Sequence, residues 1–310
     1  MTAGTPSSEF TARLAAAAEA TELMLDSLLS AAPLPGETLR PERFLEAVRY
    51  ASLNGGKRFR PFLTIETAKL LSVTGFGVQR AAAAIEMVHC YSLVHDDLPA
   101  LDNDDLRRGR PTTHKVFGEA HAILAGDALL TYAFDVLADE ATDPDPQRRI
   151  ALVLGLARAA GLGGMIGGQV LDLEAEESLA PHDPEAVTQL QAMKTGALLR
   201  FAVDAGVILG GAGAQEREAL ARYGRAIGAA FQIADDILDV EADEGALGKR
   251  AGKDAGRNKA TLVAALGIEA ARRRLDQLVA EAIAALDSLS AGDKAATLKE
   301  AAFFVAARKH

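Results

Sequence analysis

Two short acidic clusters carry the strongest chemical signal in this 310-residue sequence. One is His95-Asp96-Asp97-Leu98-Pro99-Ala100-Leu101-Asp102, and the other is Gln232-Ile233-Ala234-Asp235-Asp236-Ile237-Leu238-Asp239. Each follows an apolar helical stretch, AIEMVHCYSLV and AIGAAFQIA. Asp235 and Asp239 are four apart and share a helix face, with Asp236 beside them. Like charges at that spacing work against the helix, so the cluster needs a compensating cation. A hard divalent ion meets that need. Magnesium takes one or two carboxylates and completes its shell with water and phosphate oxygens. A solvated acidic face is the plain alternative for one cluster. Two similar clusters about 140 residues apart argue against it. A di-iron site is the rival, since Glu86-Met87-Val88-His89 is a Glu-x-x-His. That site needs a second such motif, which the sequence does not offer, and the aspartates suit magnesium better.

Cations stand in separate groups that would answer a phosphate. Gly55-Gly56-Lys57-Arg58-Phe59-Arg60-Pro61 is a glycine turn leading into a helix start. Free N–H groups and the helix dipole make such a place an anion cradle. Arg107 and Arg108 follow the first acidic cluster, and the planar guanidinium fork suits phosphate oxygens. Lys194-Thr195 lies on a largely apolar helix, while Lys249, Lys253 and Lys259 lie in or beside a loop after the second cluster. Six aspartates and one diphosphate carry about −9. Three Mg²⁺ with three or four of Arg107, Lys194, Lys249 and Lys259 supply about +9 to +10, near the neutrality a partly buried ionic site requires. His89 precedes Asp96 by two helical turns, about 10.5 Å along one face. A diphosphate at Lys57, Arg60 and His89 would therefore sit beside the metal site without sharing it.

The elements that must position these residues read as helices. Ala and Leu are abundant, Trp is absent and aromatics are 5% of the chain, which favours helix over strand. Helical periodicity is read at about 10–30, 43–54, 78–97, 117–140, 147–175, 184–211, 215–240, 259–289 and 293–308, with Pro61 in the first turn of a further helix. Residues 1–9 read as a loose tail. Residues 102–114 and 241–258 read as polar, irregular loops. No linker is long enough to divide the chain, so one large all-α helical bundle spanning 1–310 is expected.

The net charge of −10 and pI of about 5.2 exclude a broad basic face for nucleic acid. One cysteine, Cys90, permits no intrachain disulfide. With no signal-peptide pattern at residues 1–10, the expectation is a cytoplasmic chain. The longest apolar stretches, near 150–171 and 205–214, are broken by glycines, so no transmembrane segment is expected.

Taken in order, GGKRFRP, HCYSLVHDDLPALDNDDLRRGRPTTH, ILAGDALLTYAF, GGMIGGQVLDLEAE, KTGALLR, FQIADDILD and GKRAGKD make the chain resemble the short-chain trans-isoprenyl diphosphate synthases from about residue 40 onward. The similarity is greatest to bacterial farnesyl-forming members. The resemblance implies an all-α bundle around a central cavity, usually a homodimer, with the two acidic motifs facing each other. It implies that Asp96, Asp97, Asp102, Asp235, Asp236 and Asp239 hold Mg²⁺ on an allylic diphosphate, with Arg107, Lys194, Lys249 and Lys259 as its direct partners. Gly56, Lys57, Arg60, His89 and Arg108 would form the isopentenyl diphosphate site. Thr195 and Gln232 would line the region where positive charge develops, and Gln169 and Asp172 would support the allylic site.

The implied reaction is ionisation of the allylic C–O bond, attack by the isopentenyl double bond and loss of a proton, in a cavity kept dry by apolar helices. In the family, product length is set just before the first acidic motif, here Tyr91 and Ser92. A bulky Tyr91 implies a C15 product (farnesyl) over C20. By helical spacing, Ser92 lies almost under Asp96 while Tyr91 points to one side. A geranyl or geranylgeranyl diphosphate synthase is the near alternative. A terpene cyclase would not need the cations at Lys57, Arg60 and His89, and a silent partner subunit would be expected to have lost acids from one cluster.

Overall fold

The computed structural model describes residues 6–178, 183–246, 260–289 and 292–308, with side chains of 242–246 excepted. Fourteen α-helices follow one another along these residues: α1 (Ser8–Leu28), α2 (Glu42–Ser52), α3 (Phe59–Leu70), α4 (Phe76–Asp96), α5 (Thr113–Phe117), α6 (Glu119–Ala138), α7 (Pro146–Ala160), α8 (Met165–Glu177), α9 (Pro184–Gln191), α10 (Ala197–Gly210), α11 (Ala214–Ala246), α12 (Leu262–Leu266), α13 (Ile268–Asp287) and α14 (Ala296–Ala306). The β structure among the described residues is a two-residue antiparallel pair, β1 (Leu106–Arg107) with β2 (Arg110–Pro111). The expected all-α fold is what the chain adopts.

One hydrophobic core runs through the helices. The apolar stretch ahead of the first acidic motif becomes the centre of α4, where Ala81, Ala83, Ala84, Ile85, Met87 and Val88 are wholly buried. Small side chains let α3, α6 and α10 pack closely on it. Helix α10 is equally apolar and packs on α3, α4, α7 and α11. The two helices that bear the acids, α4 and α11, both rest on α10, and among the described residues no extensive packing joins them directly. Side chains of the acids on both remain partly open to water.

Several expectations change in detail: the helix expected over 259–289 is divided at Gly267 into α12 and α13, and α11 runs to Ala246, into the loop expected over 241–258. The helix expected over 147–175 is two, because Gly161, Gly163 and Gly164 break it between α7 and α8. The helix expected over 184–211 is interrupted by one π-turn, Ala192–Gly196. The loose tail is shorter than residues 1–9: Ser7 caps α1 by accepting from the Phe10 N–H, and its own N–H donates to Glu300. Finally, Glu119–Ala138 and 146–177 are, by length and hydropathy alone, long and apolar enough to cross a membrane, a test that the core helix of a bundle also passes. Part of each is buried in the bundle, and the second contains the glycine break.

Candidate active site

The first acidic cluster sits where α4 ends. Asp96 is its last residue and Asp97 its C-cap. Residues separated by six would not share a helix face, but the chain turns back here. The Asp102 N–H donates to the Asp96 carbonyl at 2.8 Å, and the Leu101 and Asn103 N–H groups both donate to the Leu98 carbonyl. That turn brings Asp102 to Asp96. Asp97 points the other way. It is 3% exposed, and Arg107 donates to its Oδ1 through Nε at 2.7 Å and Nη2 at 2.6 Å.

The second cluster stays helical throughout. Asp235 and Asp239 lie one turn apart on α11, Asp235 half-buried and Asp239 exposed. Asp236, about 100° further round the helix, faces inward and is 4% exposed. Its Oδ1 accepts from Gln232 Nε2 at 2.9 Å, and its Oδ2 accepts from Gln191 Nε2 at 2.6 Å and from the Leu262 N–H at 3.3 Å. The sequence treated all six aspartates as metal ligands. The structure divides them by burial: Asp97 and Asp236 are buried against protein donors, while Asp96, Asp102 and Asp235 are half-buried, Asp235 paired with Arg308, and Asp239 is exposed. The physical reason is phase, since adjacent residues on or at the end of a helix cannot face the same way.

Burial raises the carboxyls of Asp97 and Asp236 as well as those of Asp96 and Asp235. Burial raises the Asp96 carboxyl to about 6, with Asp102 and Asp97 adding to the rise and Lys194 and Arg107 opposing it. Burial likewise raises Asp235 to about 6, with Asp239 and Asp236 raising it further and Arg308 and Arg60 opposing. One carboxylate on α4 and one on α11 are therefore costly to ionise, chiefly because they are buried. Among the described residues no three His, Cys, Asp or Glu side chains converge into a self-sufficient metal cage. Few carboxylates and an incomplete shell fit Mg²⁺, whose remaining positions go to water and phosphate.

The second group of cations forms a separate corner. Gly55 and Gly56 have positive φ, and a Cβ on Gly56 would strike the Arg108 guanidinium. Arg108 donates to the Gly55 carbonyl and to Asn54 Oδ1. Gly56 and Arg108 are thus brought together, as the sequence led one to expect. His89, half-buried on α4, is held neutral by burial and by the surrounding Arg60, Arg108, Arg58 and Arg107. The Arg60 Nε is buried and, among the described residues, has no hydrogen-bond partner. An orphaned guanidinium nitrogen beside a neutral imidazole fits an incoming anion. Lys57 lies 5.6 Å from the Phe304 ring and is lowered by burial and by Arg308. Arg58, grouped with Lys57 and Arg60 in the sequence, belongs elsewhere. Its guanidinium is buried against Glu86 at 2.7 Å, Glu22 and the Ser52 carbonyl, which fixes the glycine turn from behind. Glu86 is thereby committed, which removes the Glu-x-x-His reading.

Lys194 and Thr195 sit in the π-turn, a device that often marks functional sites. Lys194 pairs with Asp172 of α8, one turn from Gln169 on the same helix. Two glycines permit this approach. A Cβ on Gly168 would lie 2.2 Å from the Lys194 nitrogen, and one on Gly228 would lie 3.1 Å from the Gly196 Cα. The Thr195 hydroxyl donates to Gln232 Oε1 at 2.6 Å. Arg107, read as a direct diphosphate partner, has two of its nitrogens turned to Asp97. Lys249 and Lys259, with Lys253, lie outside the described residues. Tyr91 is 4% exposed, packs edge-on against His95 with centroids 5.7 Å apart, and has a buried hydroxyl without a partner among the described residues. Ser92 Oγ donates to the His89 carbonyl at 2.9 Å.

One residue escaped the sequence reading. Arg308, near the C-terminus, reaches Asp235 Oδ1 at 2.8 Å and lies 4.1 Å over the Phe231 ring. It lies two residues beyond α14, and no spacing in the sequence ties it to α11.

Comparison with known proteins gives the same class as the geometry. The polyprenyl synthetase family profile matches residues 41–300, and the chain belongs to that family. It is 47% identical over 264 residues to the farnesyl diphosphate synthase of Escherichia coli (strain K12), covering 84% of this chain and 86% of the relative. It is 46% identical over 266 residues to a putative chloroplastic geranylgeranyl pyrophosphate synthase 8 of Arabidopsis thaliana, covering 85% and 73% of the two chains. Among solved structures, an apo FPP/GFPP synthase from Zymomonas mobilis superimposes with a TM-score of 0.85 at 41% identity, covering 96% of this chain and 99% of the other.

Proposed function

We propose that this chain is a prenyltransferase that condenses isopentenyl diphosphate with an allylic diphosphate, dimethylallyl or geranyl, to give farnesyl diphosphate. The observation that carries the reading is that Asp96 on α4 and Asp235 on α11 are both raised to about 6, chiefly by burial, with the unpartnered Arg60 Nε beside His89. Asp96 and Asp102 on one side and Asp235 and Asp239 on the other would hold Mg²⁺. Bound there, Mg²⁺ would neutralise the allylic diphosphate and draw charge onto it as the C–O bond breaks. Lys194, aimed by Asp172 and the π-turn, adds fixed positive charge to the same leaving group. Gly56, Lys57, Arg60, His89 and Arg108 receive the isopentenyl diphosphate. Thr195 and Gln232 present oxygen to the developing cation. Among the described residues no side chain beside the two clusters is assigned as a general base, and the departing diphosphate accepts the proton.

The apolar lining excludes water that would quench the cation. Tyr91, bulky and buried one turn before His95 and Asp96, supports a C15 product. The exposed apolar face of α6 and α7, with Ile123, Leu124, Ile150 and Leu154, supports a homodimer in which a second copy covers it. Incubating the protein with isopentenyl diphosphate, geranyl diphosphate and Mg²⁺ tests the reading. Consumption of isopentenyl diphosphate with a C15 product by mass spectrometry is expected. Ionisation products without isopentenyl consumption would indicate a cyclase instead.

A further inference from the structure

We infer that Asp236 is a positioning residue that fixes the direction of a hydrogen-bond chain through Gln232, so that the Thr195 hydroxyl turns its lone pairs away from Gln232. This rests on the prenyltransferase reading and assigns Asp236 a task other than metal binding. The chain is read from its buried end. Asp236 accepts from three donors, Gln232 Nε2, Gln191 Nε2 and the Leu262 N–H. A carboxylate can only accept, so the Gln232 atom facing it must be the amide NH₂. The carbonyl oxygen of Gln232 is then forced to the other side, where it meets Thr195 Oγ1 at 2.6 Å. That oxygen cannot donate, so Thr195 must give its single proton to it. Both remaining lone pairs of Oγ1 are left free of their own hydrogen.

The consequence is electrostatic. A threonine hydroxyl free to rotate would present either a proton or a lone pair to a neighbouring cation. With its rotor set from Asp236, it presents only the negative end of its dipole, and no reorganisation is needed when positive charge develops. The same carboxylate ties three segments together. Gln191 closes α9 just before the π-turn, Gln232 is on α11, and Leu262 opens α12 after residues 247–259. A carboxylate one position from Asp235 thus serves the reacting carbon and not the leaving group.

The test compares Asp236→Asn, Gln232→Met, Thr195→Val and Thr195→Ser in the full-length protein. Asparagine can hold Gln232 in either orientation, methionine breaks the chain, valine removes the hydroxyl and serine retains it. Turnover with isopentenyl and geranyl diphosphates is measured against Mg²⁺ concentration. Binding of inorganic pyrophosphate with Mg²⁺, and of a protonated-amine mimic of the allylic cation in their presence, is measured by calorimetry. The expected result for the Asn, Met and Val variants is a kcat lower by about 10- to 100-fold. The cation mimic should bind at least tenfold more weakly, while KM, the Mg²⁺ half-saturation and pyrophosphate binding stay within about twofold. Serine should restore most of the rate. Combining Asp236→Asn with Thr195→Val should cost little more than either alone.

A tenfold rise in the Mg²⁺ requirement for Asp236→Asn, absent in Thr195→Val, would overturn the inference and make Asp236 a metal ligand. Unchanged binding of the cation mimic in Gln232→Met would overturn it too, even if Asp236→Asn did not fold. Absence of isopentenyl consumption by the unmodified protein would instead defeat the functional reading beneath it.

Discussion

The two acidic clusters look like copies of one motif, yet the structure supports them by opposite means. At the end of α4, Asp97 is held by a charge, Arg107, and Asp102 is brought back to Asp96 by a backbone turn. On α11, Asp236 is held by amides and a backbone N–H, and Asp239 reaches the face of Asp235 by helical phase alone. The lesson is that a repeated acidic motif need not be a repeated metal site. In each cluster the second aspartate is buried against protein donors while its neighbours are more open to water. The donors differ in kind: one ion pair, sensitive to charge, and one network of neutral donors, sensitive to geometry.

The largest effect expected is from removing one of the acids proposed to hold Mg²⁺. Asp235→Ala should lower kcat by at least about 10³-fold with Mg²⁺ present, while circular dichroism shows the helices intact. A variant with full activity would remove Asp235 from that set. The second aspartates should give smaller and distinguishable losses. Asp97→Asn leaves Arg107 with its longer contact to Asp104 at 3.6 Å, so steady-state kinetics should show a changed KM for the allylic diphosphate and a salt-dependent rate. Asp236→Asn should show neither of these.

Stability against pH sharpens the comparison further. Asp96 and Asp235 are raised from 3.8 to about 6, so the folded protein binds more protons than the unfolded chain between those values. Their contribution to stability is therefore full below about pH 4 and is lost as pH rises through about 6. In the absence of divalent ions, Asp96→Asn should be more stable than the unmodified protein at pH 7, by up to roughly 2 kcal/mol, from about two pK units at 1.36 kcal/mol each with allowance for partial exposure. The difference should vanish near pH 4 and shrink when Mg²⁺ and pyrophosphate are added, as read by thermal unfolding. The smallest effect on rate should come from Tyr91→Ala, which should lengthen the product by one or more C5 units in the mass spectrum with kcat within about tenfold. An unchanged product would detach Tyr91 from product length.

Much of the site was legible because its residues announce their chemistry by type. Acid pairs beside apolar helices, a glycine turn with cations and a lysine on an apolar helix can all be picked out by residue type. What was not legible was direction. Arg58 sits between Lys57 and Arg60 in sequence but turns into the core against Glu86 and Glu22, because its left-handed backbone, with φ of 45°, reverses the side chain. The π-turn at Ala192–Gly196 adds a residue to one helical turn without any proline to signal it, so a continuous helix was read over 184–211. Arg308 lies 73 residues beyond Asp235, and only tertiary packing of α14 on α11 brings them together.

The central claim is that carboxylates on α4 and on α11 act on one pyrophosphate group through shared divalent ions. It is tested most directly by calorimetric titration of pyrophosphate, with and without Mg²⁺, into the unmodified protein, Asp96→Asn and Asp235→Asn. Tight binding that requires Mg²⁺ and is lost by at least tenfold in each single variant is the expected result. Undiminished Mg²⁺-dependent binding in either variant would contradict it.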